Sequence, residues 1–164
     1  MRLAALVPAL AVVAGCGGAG SGVPDGYVTY RGDGVSFAHP EGWRATTRSL
    51  GHDVTQVRLE DPAVAGPAIS LTVQPGVGER FDAQLEGELS VLEEAGGADV
   101  DRRPVEVPGA EKAVRSTIGS PGARGEAVDV LTRDGSHVAL AAGGPEGQRA
   151  VDAAAVVESL RVEE

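Results

Sequence analysis

From Tyr27 onward, apolar and polar residues alternate with a period of two in short runs separated by turn residues, the pattern of half-buried antiparallel strands. The clearest run puts Ile69, Leu71 and Val73 on one face and Ser70, Thr72 and Gln74 on the other. The same criterion predicts strands over Tyr27–Arg31, Val35–Ala38, Arg44–Ser49, Val54–Glu60, Val105–Val107, Ala113–Ile118, Glu126–Thr132 and Ser136–Ala142. Asp134-Gly135 between the last two predicts a hairpin with a tight primed turn, since both residue types tolerate positive φ. Two segments repeat at helical spacing instead. Over about Phe81–Ala95, Phe81, Leu85, Leu89 and Leu92 share a stripe while Glu86, Glu93 and Glu94 lie elsewhere, and Gly96-Gly97 stops the run. Over about Gly147–Leu160, Val151, Ala154, Val157 and Leu160 share a face, led in by Gly143-Gly144-Pro145-Glu146 and followed by Arg161-Val162 running into an acidic tail. The order strands, helix, strands, helix predicts an α+β fold, an antiparallel sheet packed with two main helices.

The first residues obey a different pattern. Arg2 precedes an apolar run from Leu3 to Val13, which meets small residues at Ala14-Gly15 before Cys16. A short basic start, an apolar stretch and a small-residue cleavage site are the three parts of a secretory signal. The run falls well short of the roughly 20 apolar residues a membrane-spanning helix needs, and Gly17 and Gly18 follow at once. Val13-Ala14-Gly15-Cys16 resembles the bacterial lipobox, in which the cysteine is lipidated and begins the mature chain. That resemblance implies a signal peptide over residues 1–15 and lipid on Cys16, the only cysteine in the sequence. Gly17 to Gly26 is too glycine-rich to sustain packing, so residues 16–26 are expected to be the lipidated cysteine and a flexible tether, and residues 27–164 one domain.

Charge narrows the partners. Without Arg2 the chain has 13 basic and 24 acidic residues, a formal charge of −11, which disfavours binding to nucleic acid or, by charge alone, to an anionic surface. Lys112 is the single lysine beside 13 arginines, and with abundant Ala, Gly and Val this composition points to a GC-rich, actinobacterial source.

The segment Asp33-Gly34-Val35-Ser36-Phe37-Ala38-His39-Pro40-Glu41-Gly42-Trp43 is similar to the opening of PsbP-like domains, where a strand ending in Pro-x-Gly-Trp turns directly into the next strand. Pro40 pre-sets φ for the turn, Gly42 supplies freedom at its end, and Trp43 can fold back on the core. Val156-Val157-Glu158-Ser159-Leu160-Arg161-Val162 resembles the ending of the same group. Actinobacterial lipoproteins of the LpqN type share this shape. The resemblance implies an α/β/α sandwich acting as a binding or assembly module, and it brings no catalytic residue to transfer.

Candidate chemistry is sparse. The histidines His39, His52 and His137 stand in no recognisable nucleophile frame, and there is no Gly-x-Ser-x-Gly elbow. His52-Asp53 and His137 near Asp134 are ligand types without metal-site spacing and read as surface polar groups. Arg31-Gly32-Asp33 spells an adhesion tripeptide, but a turn between strands needs these residue types anyway. Gly76-Val77-Gly78-Glu79-Arg80 lacks the phosphate-loop ending and reads as a loop into the first helix. The expectation is a membrane-anchored, extracytoplasmic, non-enzymatic binding module with no cofactor and no metal. The alternatives are a carrier of a small apolar or lipid ligand, which needs a cavity between sheet and helices, and a hydrolase or metal-dependent enzyme, which needs a histidine converging with a carboxylate in a cleft.

Overall fold

The computed structural model describes residues 23–63, 68–94, 99–145 and 151–163. Its elements in chain order are β1 (Tyr27–Gly32), β2 (Val35–Pro40), β3 (Arg44–Gly51), β4 (Val54–Glu60), β5 (Ala68–Gln74), α1 (Phe81–Glu94), β6 (Asp99–Pro104), β7 (Ala110–Ser120), β8 (Ala123–Thr132), β9 (His137–Pro145), α2 (Ala153–Glu158) and β10 (Arg161–Val162), with a turn of 3-10 helix at Gly78–Arg80 leading into α1. The strands form a seven-stranded sheet ordered β3-β4-β5-β9-β8-β7-β6 and a three-stranded sheet ordered β1-β2-β10, with every pairing antiparallel.

The register turns the period-two pattern into two faces. Leu71 pairs with Val57 on one side and Leu140 on the other, and Leu140 pairs with Val128, so one face of the large sheet is apolar across four strands. Val57, Leu59, Ile69, Leu71, Val128, Val130, Val138 and Leu140 are all at most 1% exposed, packed against Val156, Val157 and Leu160 around α2 and Val35 and Phe37 of β2. Each such side chain contributes roughly 1.5–3 kcal/mol when fully buried. The opposite face is covered in part by α1, whose Phe81 and Leu85 form a second, smaller cluster with Val77, against Val114 and Leu131.

Two turns join strands through primed geometry, at Asp33-Gly34 (φ 54 and 75) and at His52-Asp53 (φ 51 and 61). The Pro-x-Gly-Trp segment behaves as its composition requires: Gly42 has φ 85, the Trp43 amide donates to the Pro40 carbonyl, and Trp43 packs on the core.

Several expectations need correction. At Asp134-Gly135 only Gly135 has positive φ, and the Gly135 amide donates to the Thr132 carbonyl, so the hairpin closes through a longer loop. Asp134 instead turns its carboxylate onto the Thr132 hydroxyl and the Ser136 amide, and its pKa is lowered, by the Thr132 bond first and those from Ser136 next. The strand expected at Val105–Val107 is replaced by β6, one position upstream in the sheet edge, where Asp99, Asp101 and Arg103 disguise a strand whose covered face carries Val100 and Arg102. Val105 keeps a single bond to the ladder, its amide donating to the Ala113 carbonyl, and packs on the core from beyond Pro104. Gly143-Gly144-Pro145, expected as the lead-in to the last helix, belong to β9, and α2 begins at Ala153 behind a cap at Asp152, whose side chain accepts from the Ala155 amide. Arg161-Val162 forms β10 against β2, Arg161 opposite Ser36 and Val162 opposite Val35. The predicted helix start at Gly147, the stop at Gly96-Gly97, the signal peptide and Cys16 lie outside the described residues. Of the expected tether only Val23–Gly26 is described, ending in a turn in which the Tyr27 amide donates to the Pro24 carbonyl.

Candidate functional site

The three histidines occupy three different settings. His52 is exposed at the tip of the β3–β4 hairpin. His39, at the end of β2, donates from Nδ1 to the Pro40 carbonyl at 2.9 Å, and partial burial lowers its pKa against the raising effect of that bond. His137 differs from its sequence reading. It is 4% exposed, and its Nε2 lies 2.9 Å from Oδ1 of Asp129, itself 5% exposed; Asp134 is not its partner. Nδ1 lies 3.0 Å from Nε2 of Gln84 on α1, and the Phe81 ring meets the imidazole edge-on with centroids 5.4 Å apart. A histidine and a carboxylate thus converge, but beneath α1 and sealed by Phe81 and Gln84. The pair ties the helix to the sheet. Among the described residues no group of three or more His, Cys, Asp or Glu could hold a metal ion.

A second polar cluster links the large sheet to α2. Arg115 of β7 is bound by Glu126 of β8, its Nε donating at 2.6 Å, and by Glu158 of α2, its Nη1 donating at 2.7 Å. Burial works to lower the Arg115 pKa, yet the hydrogen bonds from Glu158 and Glu126 outweigh it and the net shift is upward. Both acceptors are thereby committed, and the cluster positions α2.

What α2 positions is a groove. Between its C-terminal end and the small sheet lies an open cavity of about 560 Å³, bounded by Thr29 and Arg31 of β1, Ser36 and Ala38 of β2, Arg161 of β10, Glu158 and Ser159, with Val23 and Pro24 at one end. Ligand sites of small molecules span roughly 300–1,000 Å³. Ser159 fixes the groove wall: its hydroxyl accepts from the Ala38 amide at 2.7 Å and donates to the Val156 carbonyl at 2.6 Å. Alternation along β2 explains the lining, because Val35 and Phe37 face the core, where Phe37 stacks on Tyr30 with ring centroids 4.9 Å apart, leaving Ser36 and Ala38 to the groove. Sequence reasoning missed Ser36, Ser159 and Arg161 as one site. The only signal was the polar residue between Val35 and Phe37, since the contact with Arg161 depends on the unforeseen β10 pairing.

The architecture can be placed among known ones. It is similar to the solution structure of cyanobacterial PsbP (CyanoP) from Synechocystis sp. PCC 6803, with a TM-score of 0.58 over 92% of this chain and 98% of that one. The fold is PsbP-like. Sequence identity across the match is 16%, so the likeness carries architecture alone. No family model matches the sequence, and no curated protein matches it. In this PsbP-like frame the α+β class and the helix-on-sheet packing expected from the sequence are both present.

Proposed function

We propose that this chain is a lipid-anchored envelope protein whose PsbP-like domain is a non-enzymatic binding module, presenting the groove between the small sheet and α2 to a ligand or partner. The observation that carries the reading is the groove itself, an open polar-rimmed cavity of about 560 Å³ whose lining, among the described residues, contains no histidine. The fold likeness and the sequence resemblance to PsbP-like domains favour a module over an enzyme. The lipobox-like Val13–Cys16 supports anchoring on the extracytoplasmic face. Val23 and Pro24 border the groove, seven and eight positions after Cys16, so a chain of that reach holds the groove within about 25 Å of the lipid.

A histidine enzyme is disfavoured by the sealing of His137 beneath Phe81 and Gln84. The test is crosslinking and pull-down of the anchored protein from intact cells, with Cys16→Ala as the control for location. Membrane-dependent, reproducible adducts that disappear with Cys16→Ala are expected. A Cys16→Ala protein that stays membrane-bound and uncleaved would remove the anchor from the account.

A further inference from the structure

The groove has a chemistry of its own. Arg31, Ser36 and Arg161 are direct cross-strand partners, Arg31 opposite Ser36 on β1 and Arg161 opposite Ser36 on β10, so the three side chains stand in a row across the small sheet and all line the groove. Two strand spacings put the arginine backbones about 10 Å apart with the serine midway. Ser36 is 8% exposed and lines the groove between the two arginines. Arg161 spends Nη1 on the Glu158 and Leu160 carbonyls at 2.9 and 2.7 Å and meets no carboxylate among the described residues. Among the described residues Arg31 is held by Glu163, in an exposed pair at 2.9 Å that a competing anion can displace. Glu158, the carboxylate on the groove wall, is committed to Arg115.

We propose that this row binds the phosphate group of a phosphate ester. Two guanidinium forks flanking a hydroxyl offer the several directed donors that a tetrahedral oxyanion accepts. The groove is larger than a bare anion fills, and the flanking Ala155, Val23 and Pro24 give an organic ester body an apolar wall. The same chemistry has two sources, a phospholipid headgroup or a free phosphate compound. The position of the groove beside Val23-Pro24 brings it close to lipid if Cys16 is anchored. This proposal deepens the binding-module reading and rests on it.

The test is isothermal titration of the full-length protein, purified from membranes in a non-ionic sugar detergent, with dihexanoylphosphatidylglycerol and separately with inorganic phosphate. Saturable binding is expected, weakened at least about tenfold by Arg161→Gln and about fivefold by Ser36→Ala, with partial rescue in Arg161→Lys. An ester binding tenfold tighter than phosphate assigns the lipid source, and equal affinities assign free phosphate. If Arg161→Gln does not fold, Arg31→Gln replaces it, because that side chain is exposed. No saturable binding of either probe, or affinities unchanged in folded variants at both Ser36 and the arginine, overturns the proposal. Membrane-dependent crosslinks that persist in those variants would leave the module reading standing without this site.

Discussion

Asp129 and His137 offer the sharpest test of how the two layers are held together. Replacing Asp129 with Ala removes the acceptor 2.9 Å from Nε2 of an imidazole that is 4% exposed. A buried donor stranded in this way costs about 1–3 kcal/mol. The expected loss for Asp129→Ala is therefore about 1–3 kcal/mol, or roughly 4–12 °C in Tm for a domain of this size. The sign of the double variant decides the reasoning. Replacing both partners by leucine leaves no orphaned polar group and lets Phe81 and Leu85 pack on an apolar surface, so Asp129→Leu with His137→Leu should cost clearly less than the sum of the single changes. Urea unfolding at pH 7 measures all four states, read as shifts in midpoint at constant slope. Additive costs, or an Asp129→Ala loss below about 0.5 kcal/mol, would show that the pair is not the buried tie described here.

Four further outcomes follow from single contacts. Ser159→Ala strips the Ala38 amide of its acceptor at a backbone position that is 1% exposed, and should lower stability by about 1–3 kcal/mol in the same urea assay. Gly109 has φ 83, and a Cβ there would stand 2.4 Å from the Val162 carbonyl, so Gly109→Ala should lose about 2 kcal/mol or more and loosen β10, seen as faster amide exchange at Val162. Tyr30 is pushed up to about 12 by burial and by the Asp33 carboxylate, so the unfolded chain ionises first; the stability it contributes is intact below pH 10 and fades as pH rises toward 12, and Tyr30→Phe should flatten that alkaline decline. Partial burial lowers the His39 pKa, so its contribution is present above the ordinary imidazole range near about 6.5 and is lost as pH falls through the folded value; His39→Gln should remove that part of the acid slope between pH 8 and 5.

The fold was legible where burial on one face is strict. Ile69, Leu71 and Val73 alternate because β5 lies in mid-sheet with one face on the core, and the Pro40-Glu41-Gly42-Trp43 turn is written in residue types that only that backbone needs. β6 was illegible because an edge strand has little to bury: Asp99–Pro104 contains one aliphatic residue besides its proline. Asp129, between Val128 and Val130, reads as an outward polar position, and it is buried only because α1 crosses that part of the outer face. Local periodicity cannot report which stretch of a face a distant helix covers. The groove was hidden for the same reason. Ser36 and Arg161 meet through β10, a two-residue strand with no alternation to detect, whose pairing is set by Gly109 and by the Val162 amide donating to the Pro108 carbonyl.

The central claim is that the groove, held near the membrane, is the working face of the molecule. A photo-crosslinking amino acid placed at Thr29, which lines the groove, and in a separate strain at Leu50, which is 49% exposed on the distant β3 edge, tests it in living cells. The account predicts a discrete adduct from Thr29 that is absent from Leu50 and is lost on Cys16→Ala. Equal adducts from both positions, or none from Thr29 while Leu50 gives one, would contradict it.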